Sequence, residues 1–143
     1  MTEPTPRAET LAVWRRWLEA HTRIVDTLDA ELRSAHDLSL EWYDVLLQLS
    51  EAGGTRTMSE LADALLISRS NCTRLVDRME AAGLVERRPG ERDQRERIAA
   101  LLPAGRRRLR AAAPTHLAGI ERLFTGELGR DAAAVERFLH RLP

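Results

Sequence analysis

Lysine is absent from this 143-residue chain; all 22 of its basic residues are arginine. A biased genomic base composition could produce that, so no function is read from it. Apolar runs of about 18 residues are absent too, which excludes a membrane-spanning helix. Met1 to Arg7 contain no apolar stretch of signal-peptide type. A single cysteine, Cys72, leaves no internal disulfide to form and suits a reducing compartment, so a cytoplasmic location is expected. The sequence offers no nucleophile–base pair and no phosphate-cradling glycine loop. His36, His116 and His140 are isolated and lack ligand-type spacing. Neither an enzyme nor a cofactor is therefore expected.

Net charge is also absent, with 22 basic residues against 22 acidic ones, but its distribution is uneven. Residues 1–55 hold 5 Arg against 10 acids, residues 56–110 hold 13 Arg against 8, and residues 111–143 hold 4 of each. Phosphate attraction follows the local field, so the basic middle third matters more than the zero total. A solvated charged surface is the bland alternative.

What the chain does contain is helical periodicity. Leu11, Trp14, Leu18, His21, Val25, Leu28, Leu32 and Ala35 alternate spacings of three and four, which predicts one helix over 8–36 packing lengthwise on others. Asp37 breaks that pattern, Ser39 caps a second helix to about Glu51, and Gly53-Gly54 ends it. Ser59 is read as the cap of a short helix bearing Leu61, Ala62 and Leu65. Ser68 is read as the cap of the next, to about Ala82. There Cys72, Leu75, Val76 and Met79 form an apolar stripe, and Arg69, Ser70, Asn71, Thr73, Asp77 and Arg78 lie away from it. Leu84–Arg88 and Ile98–Leu102 are strand-capable and flank a polar tip, Pro89 to Arg97. Pro103 opens a further helix that Pro114 is expected to kink. Asp131 starts a last one with Val135, Phe138, Leu139 and Leu142 on one face.

Two short helices, a tight turn and an arginine-tipped hairpin describe a winged helix-turn-helix. The fold class expected is mainly α with a small β-wing, as a single domain over 1–143 whose winged lobe covers 38–102. A helix of that kind fits the major groove, offering Ser68, Arg69, Ser70, Asn71, Thr73 and Arg78 to bases and phosphates. Arg92, Arg95 and Arg97 would reach a neighbouring minor groove or phosphate.

The ordered set Ser59-Glu60-Leu61-Ala62, Ile67-Ser68-Arg69-Ser70, Thr73-Arg74-Leu75-Val76-Asp77-Arg78, Gly83-Leu84-Val85-Glu86-Arg87-Arg88, Asp93-x-Arg95 and Leu101-x-x-x-Gly105 resembles the core of the MarR family of bacterial transcription factors. The resemblance implies a homodimer, with 8–36 and 103–143 as its dimerisation helices. It also implies double-stranded DNA with a pseudo-palindromic operator as partner, and a repressor released by a small aromatic or anionic ligand, phenolic or purine-like. By the same resemblance Asp93 tethers the wing through an ion pair and Arg95 enters the minor groove. Asp44, Arg74 and Arg87 are similar to the ligand site of the family's urate-responsive branch, with Trp14 as the substitute for that branch's tryptophan; structural salt bridges are the plainer account of the charged three. Three residues depart from the pattern: Leu66 where glycine is common, Leu102 where a threonine often caps, and Glu96 where a small residue follows the wing arginine.

Several residues carry two readings. Cys72 as a redox switch is set against a buried core thiol, which its place in the stripe favours. His21 as a proton sensor is set against a neutral interface histidine. Trp14, Trp17, Trp42 and Tyr43 as an aromatic ligand pocket are set against core and interface packing. A winged-helix protein-interaction module without DNA binding is the alternative function, and Arg92, Arg95 and Arg97 on a protruding tip argue against it.

Overall fold

The computed structural model describes residues 5–143; Met1 to Pro4, which begin both the expected domain and the stretch searched for a leader, lie outside the described residues. The chain runs α1 (Ala8–His36), α2 (Leu40–Glu51), β1 (Thr55–Thr57), α3 (Met58–Leu65), α4 (Arg69–Ala81), β2 (Val85–Pro89), β3 (Arg97–Leu101) and α5 (Pro103–Ile120). A π turn at Glu121–Thr125, the short α6 (Gly126–Leu128), a 3-10 turn at Gly129–Asp131 and α7 (Ala132–Leu139) complete it. Among the described residues, no helix is long and apolar enough to cross a membrane.

The helix ends follow local chemistry. Ser39 caps α2 by accepting the Trp42 N–H at 3.1 Å, and Ser68 caps α4 by accepting the Asn71 N–H at 3.2 Å. The cap of α3 is Thr57, not Ser59. Thr57 is the last extended residue, because β1 pairs it with Ile98 of β3. Its hydroxyl accepts the Glu60 N–H at 3.1 Å while the Glu60 carboxylate accepts the Thr57 N–H at 3.1 Å, a reciprocal capping box. Ser59 therefore lies inside the helix. Strand β1 escaped the sequence reading, since three residues beside two glycines carry no periodicity.

The sheet is antiparallel in the order β1-β3-β2, with Thr55 opposite Ala100 and Val85 opposite Leu101. α5 leaves β3 against the backbone at Leu84: a β-carbon on Gly105 would lie 2.3 Å from the Leu84 carbonyl oxygen, so only glycine allows that approach. Leu102 precedes α5 with no side-chain cap, and Pro103 occupies its first turn. Pro114 does not interrupt α5; the departure from α geometry comes at the π turn. The last helix starts at Ala132, and Leu142 lies beyond its end.

One core joins these elements. Leu32 and Leu38, α2's Tyr43, Val45, Leu46 and Leu49, α3's Leu61 and Ala62, the α4 stripe, and Leu84, Val85, Ala99, Leu101, Leu109 and Ala112 are all buried in it. The long seam of α1 divides in two. Leu28 and Leu32 are buried, whereas Leu11, Trp14, Leu18 and Val25 are exposed, as are Leu117, Phe124, Phe138, Leu139 and Leu142 near the other terminus. Gly119 lets α1 and α5 close on each other, since a β-carbon there would sit 2.6 Å from a Leu28 methyl. Arg108 donates to the carbonyls of His36 and Asp37 at 2.9 and 2.6 Å, fixing the left-handed end of α1.

Between α5 and α2 the His116 ring packs on Tyr43 at a tilt of 48°, with centroids 4.4 Å apart, and its buried Nδ1 has no hydrogen-bond partner among the described residues. Burial holds the imidazole below its ordinary pKa of 6.5. Unfolding frees the ring to bind a proton, so its contribution is present above pH 6.5 and is lost as pH falls through the depressed native value. Thermal unfolding followed from pH 7.5 to pH 5 should show declining stability. His116→Phe, which keeps an aromatic ring against Tyr43, should flatten that decline; an unchanged slope would remove His116 as its source.

Candidate nucleic-acid interface

The geometry of the surface begins at α4. Its stripe Cys72, Leu75, Val76 and Met79 is turned inward, which leaves Arg69, Ser70, Asn71, Thr73, Arg74, Asp77 and Arg78 exposed along the opposite side. The N-terminal turn carries no acidic residue of its own, so the positive end of the helix dipole is not offset from within α4. Arg69 reaches back to α3, donating to the Ser59 hydroxyl at 2.6 Å. The Ser68 and Ser70 hydroxyls lie 3.3 Å apart. Thr73 donates to the Arg69 carbonyl at 3.0 Å, and Arg74 to the Asn71 side-chain carbonyl at 2.5 Å. Arg78 makes no ion pair among the described residues.

The Arg69–Ser59 bond also locates the wing. Ser59 is two residues from Thr57, which pairs with Ile98, the neighbour of Arg97 at the wing's base. The start of α4 and the base of the wing are therefore adjacent. Beyond that base the tip closes on its own backbone: Gly90 N–H donates to the Glu96 carbonyl at 2.8 Å and Glu96 N–H to the Asp93 carbonyl at 3.1 Å. Arg92, Arg95 and Arg97 are exposed there and form no ion pair among the described residues.

Asp93 does not tether the wing through an ion pair. Its carboxylate accepts the Arg95 backbone N–H at 2.9 Å. A bond two residues away closes a turn at little entropic cost, which an exposed ion pair to a long arginine does not match. The tether lies instead at Glu80, which accepts the Arg87 backbone N–H at 2.6 Å and its guanidinium at 3.3 Å. Asp77 pairs with the same guanidinium. Two carboxylates on α4 thus hold β2 by one arginine. The Arg87 N–H draws the Glu80 carboxyl below its ordinary pKa against the opposing effect of burial, and the guanidinium adds to the lowering. No local sequence pattern marks Glu80, since its partner is seven residues away on another element.

The four residues read as a ligand site are not brought together. Arg87 is taken by Asp77 and Glu80, and Arg74 leans on Asn71. Asp44 is half-buried in α2, where burial raises its carboxyl pKa against a Gln48 hydrogen bond that lowers it. Trp14 is 56% exposed beside Trp17, fourteen residues before the buried part of α1 begins at Leu28, or about 20 Å along the axis. The aromatic pocket is not formed either: Tyr43 is in the core with His116, Trp42 packs on that core, and Trp14 and Trp17 stand outside. A cleft does exist nearby, between the start of α2 and α4, lined by Glu41, Ile67, Asn71, Arg74, Leu75, Asp77 and Arg78. Cys72 is fully buried, and desolvation pushes its thiol pKa up.

Comparison with known proteins agrees with this architecture. Residues 36–96 match the MarR family. The transcriptional activatory protein BadR of Rhodopseudomonas palustris is 39% identical over 74 residues, half of this chain and 42% of that protein. The chain thus matches less than half the length of that relative. Two Streptomyces coelicolor crystal structures are similar over nearly the whole chain. AbsC, a MarR family transcriptional regulator, has a TM-score of 0.83 at 29% identity, covering 96% of this chain and 97% of that one. Sco3205, a MarR family transcriptional regulator in complex with DNA, has a TM-score of 0.85 at 29% identity, covering 97% and 90%.

Removing the wing tether should cost little but measurably. Glu80→Ala is expected to lower stability by about 1 kcal/mol in urea unfolding at pH 7, a value reduced for the pair's partial exposure. The gap to wild type should close as pH falls through the depressed Glu80 value, because the protonated carboxyl no longer holds Arg87 as a charge. A gap that stays constant down to pH 3 would mean that the charged Glu80–Arg87 contact is not its source.

Proposed function

We propose that this chain is a MarR-family winged helix-turn-helix transcriptional regulator that binds duplex DNA as a homodimer at a pseudo-palindromic operator, a reading supported by the match over residues 36–96 and by its likeness to AbsC and Sco3205. α4 would enter the major groove, with Arg69, Ser70 and Asn71 nearest its base edges and Ser68, Thr73 and Arg78 beside phosphates. Arg92, Arg95 and Arg97 would follow the flanking backbone or minor groove, with Asp93 shaping the turn that presents Arg95. The observation that carries this reading is the link between two cationic features: an α4 N-terminal turn without acids, joined through Ser59 and β1 to the base of a wing whose Arg92, Arg95 and Arg97 form no ion pair among the described residues.

Dimerisation is supported by the apolar side chains left exposed at both ends of the chain, Leu11, Trp14, Trp17 and Leu18 on α1 and Phe124, Phe138 and Leu139 beyond α5. Surface of that kind is commonly an interface. As a repressor, the protein would be released by a small anionic or aromatic ligand in the cleft that Arg74 and Arg78 line beside α4. An anion there would compete for the Arg74–Asn71 hydrogen bond and disturb the DNA-facing side. Asp44, Arg87 and Trp14 would take part only after rearrangement, since Arg87 is already bound by two carboxylates.

A mobility-shift titration against the duplex upstream of the protein's own gene tests the central reading. Wild type should retain that duplex with an affinity that falls steeply as salt rises. Arg69→Ala or Asn71→Ala should lose about 1–3 kcal/mol per half-site and relax base preference, whereas Arg95→Ala should weaken binding to all sequences and reduce the salt slope by about 1 per subunit. Wild-type binding by both Arg69→Ala and Arg95→Ala would place the interface elsewhere.

A further inference from the structure

Among the described residues, two that are not glycine have positive φ, Asp37 and Leu66, and of these Leu66 is the apolar one. It links α3 to α4 with φ 58° and ψ 37°, in the left-handed region. The conformation is imposed by the backbone: Ile67 N–H donates to the Ala62 carbonyl at 3.1 Å and Leu66 N–H to the Asp63 carbonyl at 3.2 Å. That pair of bonds is the Schellman closure of a helix, which requires a left-handed residue at this position and favours glycine there. A leucine is strained in that conformation by its β-carbon. Burial does not compensate, because the side chain is 91% exposed, far more than the 61% of the next most exposed large apolar residues. Neither the turn nor the core accounts for a leucine at this point.

The position of the residue supplies an account. Leu66 is two residues before the Ser68 cap and three before Arg69, on the same edge as the exposed α4 N-terminus. We propose that Leu66 is a DNA-contacting residue whose isobutyl group packs on the apolar surface of the duplex, the deoxyribose carbons or a thymine methyl, beside the groove that α4 enters. This rests on the reading of α4 as the DNA-facing helix. Asp63, exposed one turn earlier, would repel a phosphate at this corner, so an apolar partner fits better than a charged one. The contact would exchange conformational strain in the free protein for burial in the complex.

The test separates stability from affinity in the full-length protein. Leu66→Gly should raise the melting temperature by a few degrees, since glycine relieves the strain, yet weaken operator binding by about fivefold or more with an unchanged salt slope. Leu66→Gln should weaken binding similarly with little change in melting temperature, and Leu66→Met should retain wild-type affinity. Uracil replacing thymine at each site position in turn distinguishes the partners. Loss at one position in wild type but not in Leu66→Gly identifies a methyl group, and no loss at any position identifies deoxyribose. If Leu66→Gly binds within twofold of wild type, the contact does not exist, while DNA binding by the wild type leaves the broader reading standing. If Leu66→Gly instead shifts the monomer–dimer equilibrium in sedimentation, the side chain serves the protein's own assembly and the inference falls. A wild type that retains no duplex overturns both.

Discussion

Cys72, Leu75, Val76 and Met79 recur on one face of α4 and are driven into the core shared by α2, α3 and the sheet. Each such burial contributes on the order of 1.5–3 kcal/mol for the larger side chains, so rotating α4 by half a turn would forfeit several kcal/mol. That apolar stripe sets which residues α4 presents outward. Arg69, Ser70, Asn71 and Arg78 are exposed because their neighbours at helical spacing are not. The same packing sets the depth at which α4 stands relative to the sheet, and hence where the wing can reach.

Held in this way, α4 becomes the reference for the rest of the surface. At its start, Arg69 binds α3 through Ser59. Towards its end, Asp77 and Glu80 bind Arg87 of β2. The wing therefore hangs from the helix by side chains at one end and by strand pairing through Thr57 and Ile98 at the other. Surface ion pairs contribute little energy in isolation. Here their effect is geometric, because a bond to backbone N–H and guanidinium together restricts the angle between helix and hairpin.

The lobe and the terminal helices behave differently. From Leu28 onward α1 is bonded to α2 through Asp29 and the Leu40 N–H and packed on α5, with Arg108 on its terminal carbonyls and Gly119 allowing close approach. Before that point Leu11, Trp14, Trp17, Leu18 and Val25 stay exposed among the described residues, with Trp17 lining a cleft that Phe124 and Leu139 also line. A seam that is half satisfied internally and half exposed, over one periodic pattern of 29 residues, is what the proposed second subunit would cover.

The helices, the α4 stripe, the hairpin and the middle-third excess of arginine are all set by the sequence itself, because periodicity, capping residues and charge act over short stretches of chain. Leu66 could be singled out in the same way, since the turn that needs a left-handed residue is local. Tertiary structure alone decided the rest. The third strand exists only through pairing with β3; Thr57 and not Ser59 caps α3 because that pairing keeps residue 57 extended; Arg87 was claimed by Glu80 and Asp77 before any ligand could use it; and Trp14 was carried away from the lobe by the length of its own helix. Each of these outcomes is a competition for a partner between residues distant in the chain or on different elements, and such a competition is resolved by three-dimensional distance, which no spacing along a chain records.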